Sequence, residues 1–139
     1  MRYWILLFLA GCVSEVSNAN EVQSLATELA IMEWELSYGF TPECKREIIQ
    51  WEVYSSIEDV KVYCGNDIVD ACHLRNYDDE STIIMYEGTY NYETAVYAHE
   101  LTHWLQHCSG RGSDTGHKEK GVWGDGFEKR LRNTIRENI

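Results

Sequence analysis

The pentapeptide His99-Glu100-Leu101-Thr102-His103 combines two residues that can bind zinc with one that can activate a water. If this stretch is helical, His99 and His103 lie four residues apart on one face, so both imidazoles can reach a single ion. Glu100 lies one residue after the first histidine, where its carboxylate can reach a metal-bound water and accept its proton. The spacing therefore predicts a zinc site with a general base beside it.

The residues around this pentapeptide are uncharged, which favours a buried helix over a solvent-exposed one. A helix from about Tyr92 to Cys108 would pack against the core and turn its histidine face into a cleft. The Ser109-Gly110-Arg111-Gly112 segment would end this helix, because glycines favour turns. The uncharged flanking residues are Val96, Tyr97, Ala98, Trp104 and Leu105.

His-Glu-x-x-His is also the signature of zinc metallopeptidases, and on these residues the chain resembles the zincins. The resemblance implies a Zn²⁺ ion that polarises the carbonyl of a peptide or protein substrate and acidifies a water. It implies that His99 and His103 are ligands and that Glu100 moves a proton from the water to the leaving amine. It also implies that one strand borders the cleft and pairs with an extended substrate.

His117 is the best candidate for the third protein ligand that a catalytic zinc site usually has. The segment that leads to it from Ser109 is polar and glycine-rich, and it is long enough to return to the zinc. With Asp114 and Trp123, His117 resembles the third-ligand region of SprT-type zincins, over about a quarter of the chain. If His117 is the ligand, Asp114 is either an acceptor that orients an imidazole or a residue that caps its turn. The chain lacks the glycine that follows the ligand in that family, and it lacks the family's basic DNA-facing surface.

Three carboxylates remain open as the third ligand. Asp114 lies in a Gly-Ser-Asp turn that partly resembles the ligand turn of aspzincins, although the tyrosine that follows in that family is missing. Glu119 and Glu128 lie further downstream. A neutral imidazole binds zinc well, which favours His117 over the carboxylates.

Two other zinc arrangements are disfavoured. His107 continues the histidine spacing, but on a straight helix it would lie about 12 Å along the axis from His99, too far for one ion. Gln106 and Ser109 stand where the extended metzincin motif has glycine and histidine, which excludes that family.

Spacing does not choose the residue that would stabilise an oxyanion. The candidates close to the zinc-binding helix in sequence are Tyr86, Tyr90, Tyr92 and Arg111. We expect His73 to face solvent in a hairpin.

The amino terminus has the pattern of an export signal. Arg2 precedes an apolar run that is too short to span a bilayer. Leu9-Ala10-Gly11-Cys12 resembles a bacterial lipobox, which implies cleavage before Cys12, a lipid on that cysteine and attachment to the cell envelope. Val13 then favours the outer membrane. The alternative is an ordinary secretory signal cut near Ala19, which also exports the protein.

This pattern divides the chain into three parts. Residues 1–11 would be the lipoprotein signal peptide, residues 12–20 the lipidated tether and residues 21–139 the folded domain. The mature length of 128 residues suits one domain. After loss of Arg2, 11 basic residues stand against 23 acidic ones, so nucleic acid is disfavoured as a partner. The oligomeric state is left open.

Four cysteines remain in an exported chain, which predicts two disulfides. Cys64 and Cys72 flank a turn signal and form the natural local pair. Cys44 and Cys108 then remain as the second pair. Their spacing does not match a cysteine zinc site.

The order of predicted elements is ααβββαα, typical of a small α+β, zincin-like domain with helices packed on a short sheet. Asn20 and Gln23 form a capping box for the first helix, and Gly39 ends it. A second helix is predicted from Thr41 to about Trp51. The predicted strands are Val60–Cys64 with Asp70–Leu74 as its hairpin partner, and Ser81–Tyr86; a last helix carries Phe127, Leu131 and Ile135.

The sequence therefore predicts an exported, membrane-anchored zinc metallopeptidase. A zinc ion can serve folding as well as chemistry. The alternative is a non-catalytic, zinc-stabilised envelope lipoprotein that binds another protein. A third possibility is a degenerate zincin that holds no metal.

Overall fold

The computed structural model describes residues 16–17, 20–40, 42–43, 49–65, 70–75, 81–87, 93–112 and 114–139. The predicted signal peptide, the lipidation site Cys12 and the disulfide candidate Cys44 lie outside these residues. Within them, every helix is too short or too polar to cross a membrane.

The described chain is α+β, as predicted, with four helices and a small mixed sheet. The helices are α1 (Glu21–Tyr38), α2 (Ile57–Cys64), α3 (Glu93–Cys108) and α4 (Phe127–Asn138). The strands are β1 (Val16–Ser17), β2 (Ile49–Tyr54), β3 (Ala71–Arg75) and β4 (Ser81–Tyr86).

The strand order is β1-β2-β4-β3, with β2 parallel to β4 and the two outer strands antiparallel to their neighbours. Strand β3 is therefore the last strand on its side. One of its edges pairs with β4, and no other described strand pairs with the opposite edge.

The two faces of the sheet bury different helices. Ile83 packs into the main core with α1, α3 and α4, while the next residue, Ile84, packs with Val60 of α2. Neighbouring strand residues point to opposite faces, so α2 covers one face and the other three helices cover the other. The main core contains the fully buried aromatic residues Trp34, Trp51, Trp104 and Phe127.

The caps of α1 are those that the sequence predicted. The Asn20 side chain accepts a hydrogen bond from the backbone N–H of Gln23, and the Gln23 side chain accepts one from the N–H of Asn20. Gly39 ends the helix in the left-handed conformation, with φ of 76°. These contacts satisfy backbone groups that the helix leaves unpaired at its ends.

The described end of one predicted helix and one predicted strand are wrong in type, and residues 41 and 44–48 of that predicted helix lie outside the described residues. Residues 49–51, predicted as the end of a helix, begin strand β2, where Ile49 and Trp51 are buried and Gln50 is exposed. The predicted strand Val60–Cys64 lies in helix α2, because its apolar contacts are made at helical spacing by Ile57, Val60 and Cys64.

Strand β3 exists as predicted, but its partner is β4 and not the segment 60–64. This pairing turns His73 toward α3, so the prediction that His73 faces solvent is wrong. Its Nε2 lies 2.9 Å from Oγ of the buried Ser81. Residues 16–17, assigned to the tether, pair with Trp51 and Glu52 as β1.

Candidate metal centre

Helix α3 presents the predicted zinc motif from a buried position. Its opposite side is fixed in the core by Ala98, Leu101 and Leu105, none of which is exposed. His99 is half-buried and His103 is 7% exposed. The helix therefore holds both imidazoles on a rigid support, as a preformed site requires.

The loop after α3 brings His117 back to this face. Gly110 and Gly112 have φ values of 77° and 75°, so the reversal uses left-handed conformations that glycine adopts easily. His117 itself has φ of 53°, and its backbone N–H donates to the carbonyl of Asp114 at 2.9 Å. The loop thus holds a non-glycine residue in a conformation that L-residues avoid.

Asp114 organises this loop through its carboxylate. Oδ1 accepts from the Lys118 backbone N–H at 2.9 Å, and Oδ2 accepts from that of Glu119 at 2.9 Å. The Trp123 indole donates at 2.7 Å and the Gln106 amide at 3.2 Å. Burial opposes ionisation, but these hydrogen bonds outweigh it and hold the pKa of Asp114 well below its usual range.

Three imidazole nitrogens converge on one point. Nε2 of His117 lies 3.1 Å from Nε2 of His103 and 3.1 Å from Nε2 of His99. In a tetrahedral zinc site with bonds of about 2.1 Å, two ligand nitrogens would be about 3.4 Å apart. Lone pairs this close repel unless a proton or a cation lies between them. The donor set therefore fits a zinc ion. Among the described residues it is the one group of three or more potential metal ligands.

Glu128, on the first turn of α4, holds His99 from behind. Its Oε2 lies 2.5 Å from Nδ1 of His99, which leaves Nε2 to face the cluster. Burial alone would lower the pKa of His99, but the hydrogen bond that its ring donates to Glu128 and the nearby charge of Glu100 raise it. A carboxylate behind a histidine ligand orients the ring and raises its basicity.

Glu100 lies beside the cluster as a buried carboxylate. It is 5% exposed, and its Oε2 makes no hydrogen bond with any described residue. Burial raises the pKa of Glu100 to about 7, although the charge of His99 opposes the shift. A carboxyl group with this pKa can exchange a proton near neutral pH, which is the property that a general base needs.

Trp123 packs against all three histidines. Its ring centroid lies 5.1 Å from that of His99, 4.6 Å from that of His103 and 4.5 Å from that of His117. Its indole N–H donates a hydrogen bond to Asp114, so the ring is held between the Asp114 carboxylate and the three imidazoles. Trp123 therefore restricts the rotation of the three imidazoles.

The cluster opens into a cleft of about 260 Å³. One wall carries His99, Glu100 and His103 of α3 with Thr115 and His117 of the loop. The opposite wall is β3 with the end of α2: Cys64, Ala71, Cys72, His73 and Leu74. The described lining contains one carboxylate, Glu100, and no lysine or arginine.

The open alternatives for the third ligand lie elsewhere. Asp114 bonds the loop backbone rather than an imidazole, and Glu128 bonds the outer nitrogen of His99. Glu119 pairs with Arg111 at 2.6 Å. His107 lies near His73, with ring centroids 5.8 Å apart, and outside the three-histidine cluster.

The oxyanion candidates fall into two groups. Arg111 lies over the rings of Trp34 and Tyr38, at 5.0 and 4.7 Å, and does not line the described cleft. Tyr86 is half-buried against the α2 side of the sheet, also outside the cleft lining. Tyr90 and Tyr92 lie outside the described residues.

Cys64 and Cys72 form a disulfide with a Cα–Cα distance of 5.9 Å, the local pair expected from the sequence. Cys108 is disulfide-bonded too, and Cys44, the cysteine expected to pair with it, lies outside the described residues. The first bridge joins the end of α2 to β3 beside the cleft.

Sequence reasoning placed Glu128 only among the possible ligands and gave Trp123 no contact with the imidazoles. The sequence places Glu128 near the start of the last helix, but 29 residues separate it from His99, so spacing gives no signal for this contact.

Comparison with protein-family models, with curated proteins and with solved structures found no match to this chain.

Proposed function

We propose that this protein is an exported zinc metallopeptidase. The observation that carries the proposal is the convergence of three Nε2 atoms, 3.1 Å apart in two of the pairs, beside the buried carboxylate of Glu100. This combination offers three protein ligands, a free position for water and a base at the same cleft. A purely structural zinc site would have four protein ligands and would not need the unpartnered carboxylate.

His99, His103 and His117 would hold the zinc, which when bound polarises a scissile carbonyl and lowers the pKa of a water to about 7. Glu100 accepts the proton of the attacking water and delivers it to the leaving amine. Glu128 keeps the Nε2 of His99 directed at the metal through its bond to Nδ1. Trp123 limits the motion of the imidazoles.

The arrangement also supports a zincin-like domain. The motif helix α3 packs under the sheet, and the antiparallel strand β3 lies at the sheet edge that borders the cleft. The substrate would be an extended peptide or a flexible protein segment that pairs with β3, because β3 is the outermost described strand and a substrate can add to a sheet edge through backbone hydrogen bonds.

The site of action would be the bacterial cell envelope. This part of the proposal rests on the sequence pattern Leu9-Ala10-Gly11-Cys12, with a lipid on Cys12 and with the outer membrane favoured by Val13. The mature chain has 11 basic and 23 acidic residues, and this excess of negative charge would keep the domain away from anionic headgroups and disfavour nucleic acid. The residues between Cys12 and strand β1 would form the tether.

The central test compares the zinc-loaded protein with its Glu100→Gln variant on a mixture of fluorogenic peptides. We expect both to bind zinc and the variant to lose at least a hundredfold in kcat/KM, since proton transfer contributes about that much or more. Glu21→Gln, an exposed change on α1, is the matched control. Full activity in the Glu100 variant would refute the mechanism.

A peptide hydroxamate separates this proposal from a closed structural site. An open zinc position accepts the hydroxamate, and a zinc ion with four protein ligands does not. Loss of binding on zinc removal is the result that we expect. A folded, zinc-bound protein that ignores the hydroxamate would favour the non-catalytic binding lipoprotein.

A further inference from the structure

The lining of the cleft includes residues from both faces of β3, the outermost strand on its side of the described sheet. Four consecutive residues of this strand, from Ala71 to Leu74, line it. Ala71 packs with the main core, whereas Cys72 and Leu74 pack with the α2 cluster. The wall therefore has two sides, one next to the histidines and one next to α2.

A peptide paired with this edge would meet the two sides in alternation. Successive side chains of an extended strand point to opposite faces. When one substrate side chain lies on the histidine side, its neighbours lie on the α2 side. There they meet the Cys64–Cys72 disulfide and Leu74.

The described residues on this second side are apolar. Cys64, Cys72 and Leu74 are half-buried, and the described residues that line it include no charged group. A charged substrate side chain placed there would lose hydration without gaining a partner, which is costly. An aliphatic side chain would bury apolar surface instead, which is favourable.

We propose that the Cys64–Cys72 disulfide and Leu74 form an apolar specificity subsite, which selects extended peptides with an aliphatic side chain on the α2 side of β3. The inference rests on the proposed peptidase function and deepens it. It names Leu74 as the specificity-determining residue. The acidic surface would by itself favour a lysine in the substrate, so a preference for leucine over lysine runs against the long-range field.

The test measures binding of peptide hydroxamates to the zinc-loaded protein by calorimetry. One series varies a single side chain, at each position in turn, among leucine, lysine and glutamate. At one position the parent should prefer leucine to either charged residue by about tenfold or more. Leu74→Lys should favour the glutamate peptide, and Leu74→Asp should favour the lysine peptide. The ratio of the affinities for these two peptides should differ between the two variants by about two- to fivefold.

Val62→Lys is the matched control, because Val62 is 75% exposed on α2 and does not line the described cleft. It should keep the preference of the parent. Leu74→Gln is close in size and uncharged, and it should reduce the preference for leucine without reversing it. If the charged variants lose zinc, this variant replaces them in the test.

The outcomes separate the two proposals. Failure of the zinc-loaded parent to bind any hydroxamate would overturn the peptidase function and this subsite with it. Hydroxamate binding without a side-chain preference would overturn the subsite alone. A preference that survives all Leu74 substitutions would also overturn it.

Discussion

Oε2 of Glu128 lies 2.5 Å from Nδ1 of His99, although 29 residues separate them in the chain. Helix α4 thus supports the histidine-bearing face of α3 from behind. The contact fixes which nitrogen of His99 faces the cluster. It makes the last helix part of the candidate metal centre as well as part of the core.

Glu128→Gln should weaken zinc binding by about ten- to a hundredfold, the usual effect of losing a carboxylate behind a histidine ligand. The amide keeps the size of the side chain and removes its charge. Competition with a chromophoric chelator measures the zinc dissociation constant. Glu137→Gln, an exposed change on the same helix, should leave it unchanged. Equal affinity in the parent and the Glu128 variant would show that the contact does not support the site.

Asp114→Asn should weaken zinc binding by about tenfold through the loop that carries His117. Asparagine tolerates the φ of 47° at this position, so the change removes charge more than it alters backbone preference. The amide loses one of the two acceptor oxygens that hold Lys118 and Glu119. Asp125→Asn is the control, because the Asp125 side chain is almost fully exposed. The same chelator assay decides, and matching affinities for the two variants would contradict the role of Asp114.

Gly126→Ala should destabilise the protein by about 1–3 kcal/mol, the typical effect of forcing extra atoms into a packed site. A Cβ at this position would lie 2.2 Å from the carbonyl oxygen of Gly121. That oxygen accepts the backbone N–H of Phe127 at the start of α4. Gly116→Ala is the matched control, because its Cβ would meet only the flexible side chain of Lys118. Chemical denaturation gives both values, and equal stabilities would refute the prediction.

The metal-free protein should lose stability, relative to its Glu100→Gln variant, as the pH rises from about 4.5 to about 7. Burial raises the pKa of Glu100 from 4.5 to about 7. Below pH 4.5 the carboxyl is neutral in both states; above it the unfolded chain releases the proton first, so folding keeps a proton at increasing cost. The difference should reach about 3 kcal/mol and level off above pH 7. Denaturation of both proteins in a chelator across this range measures it, and a constant difference would contradict the burial of Glu100.

The elements that sequence predicted well are those with strong local signals. The capping box of Asn20 and Gln23, the stop at Gly39 and the end of the motif helix at Cys108 all depend on nearby residues. Helix α2 was mistaken for a strand because Val60-Lys61-Val62 alternates. In the structure Val60 is buried while Val62 is 75% exposed. The acidic residues in the first turn, Glu58 and Asp59, are the local signal that favours a helix here.

The residues of the candidate site also differ in how far local sequence signals predict their positions. His99, Glu100 and His103 share one helix turn, so their grouping follows from spacing alone. His117 needed only a short loop. The contacts of Glu128 and Trp123 depend on how α4 packs against α3, and the place of His73 depends on which strand pairs with β3. Such long-range packing leaves no periodic trace in the sequence.

The most direct test of the three-histidine centre is the number of zinc ions per chain, measured by elemental analysis on the chain from Val13 onward and on its His117→Ala variant. His107→Ala is the matched control, since His107 lies outside the cluster. We predict about one zinc per chain in the parent and the control, and a large loss in the His117 variant. Undiminished zinc in the His117 variant, or none in a folded parent supplied with metal, would contradict the account.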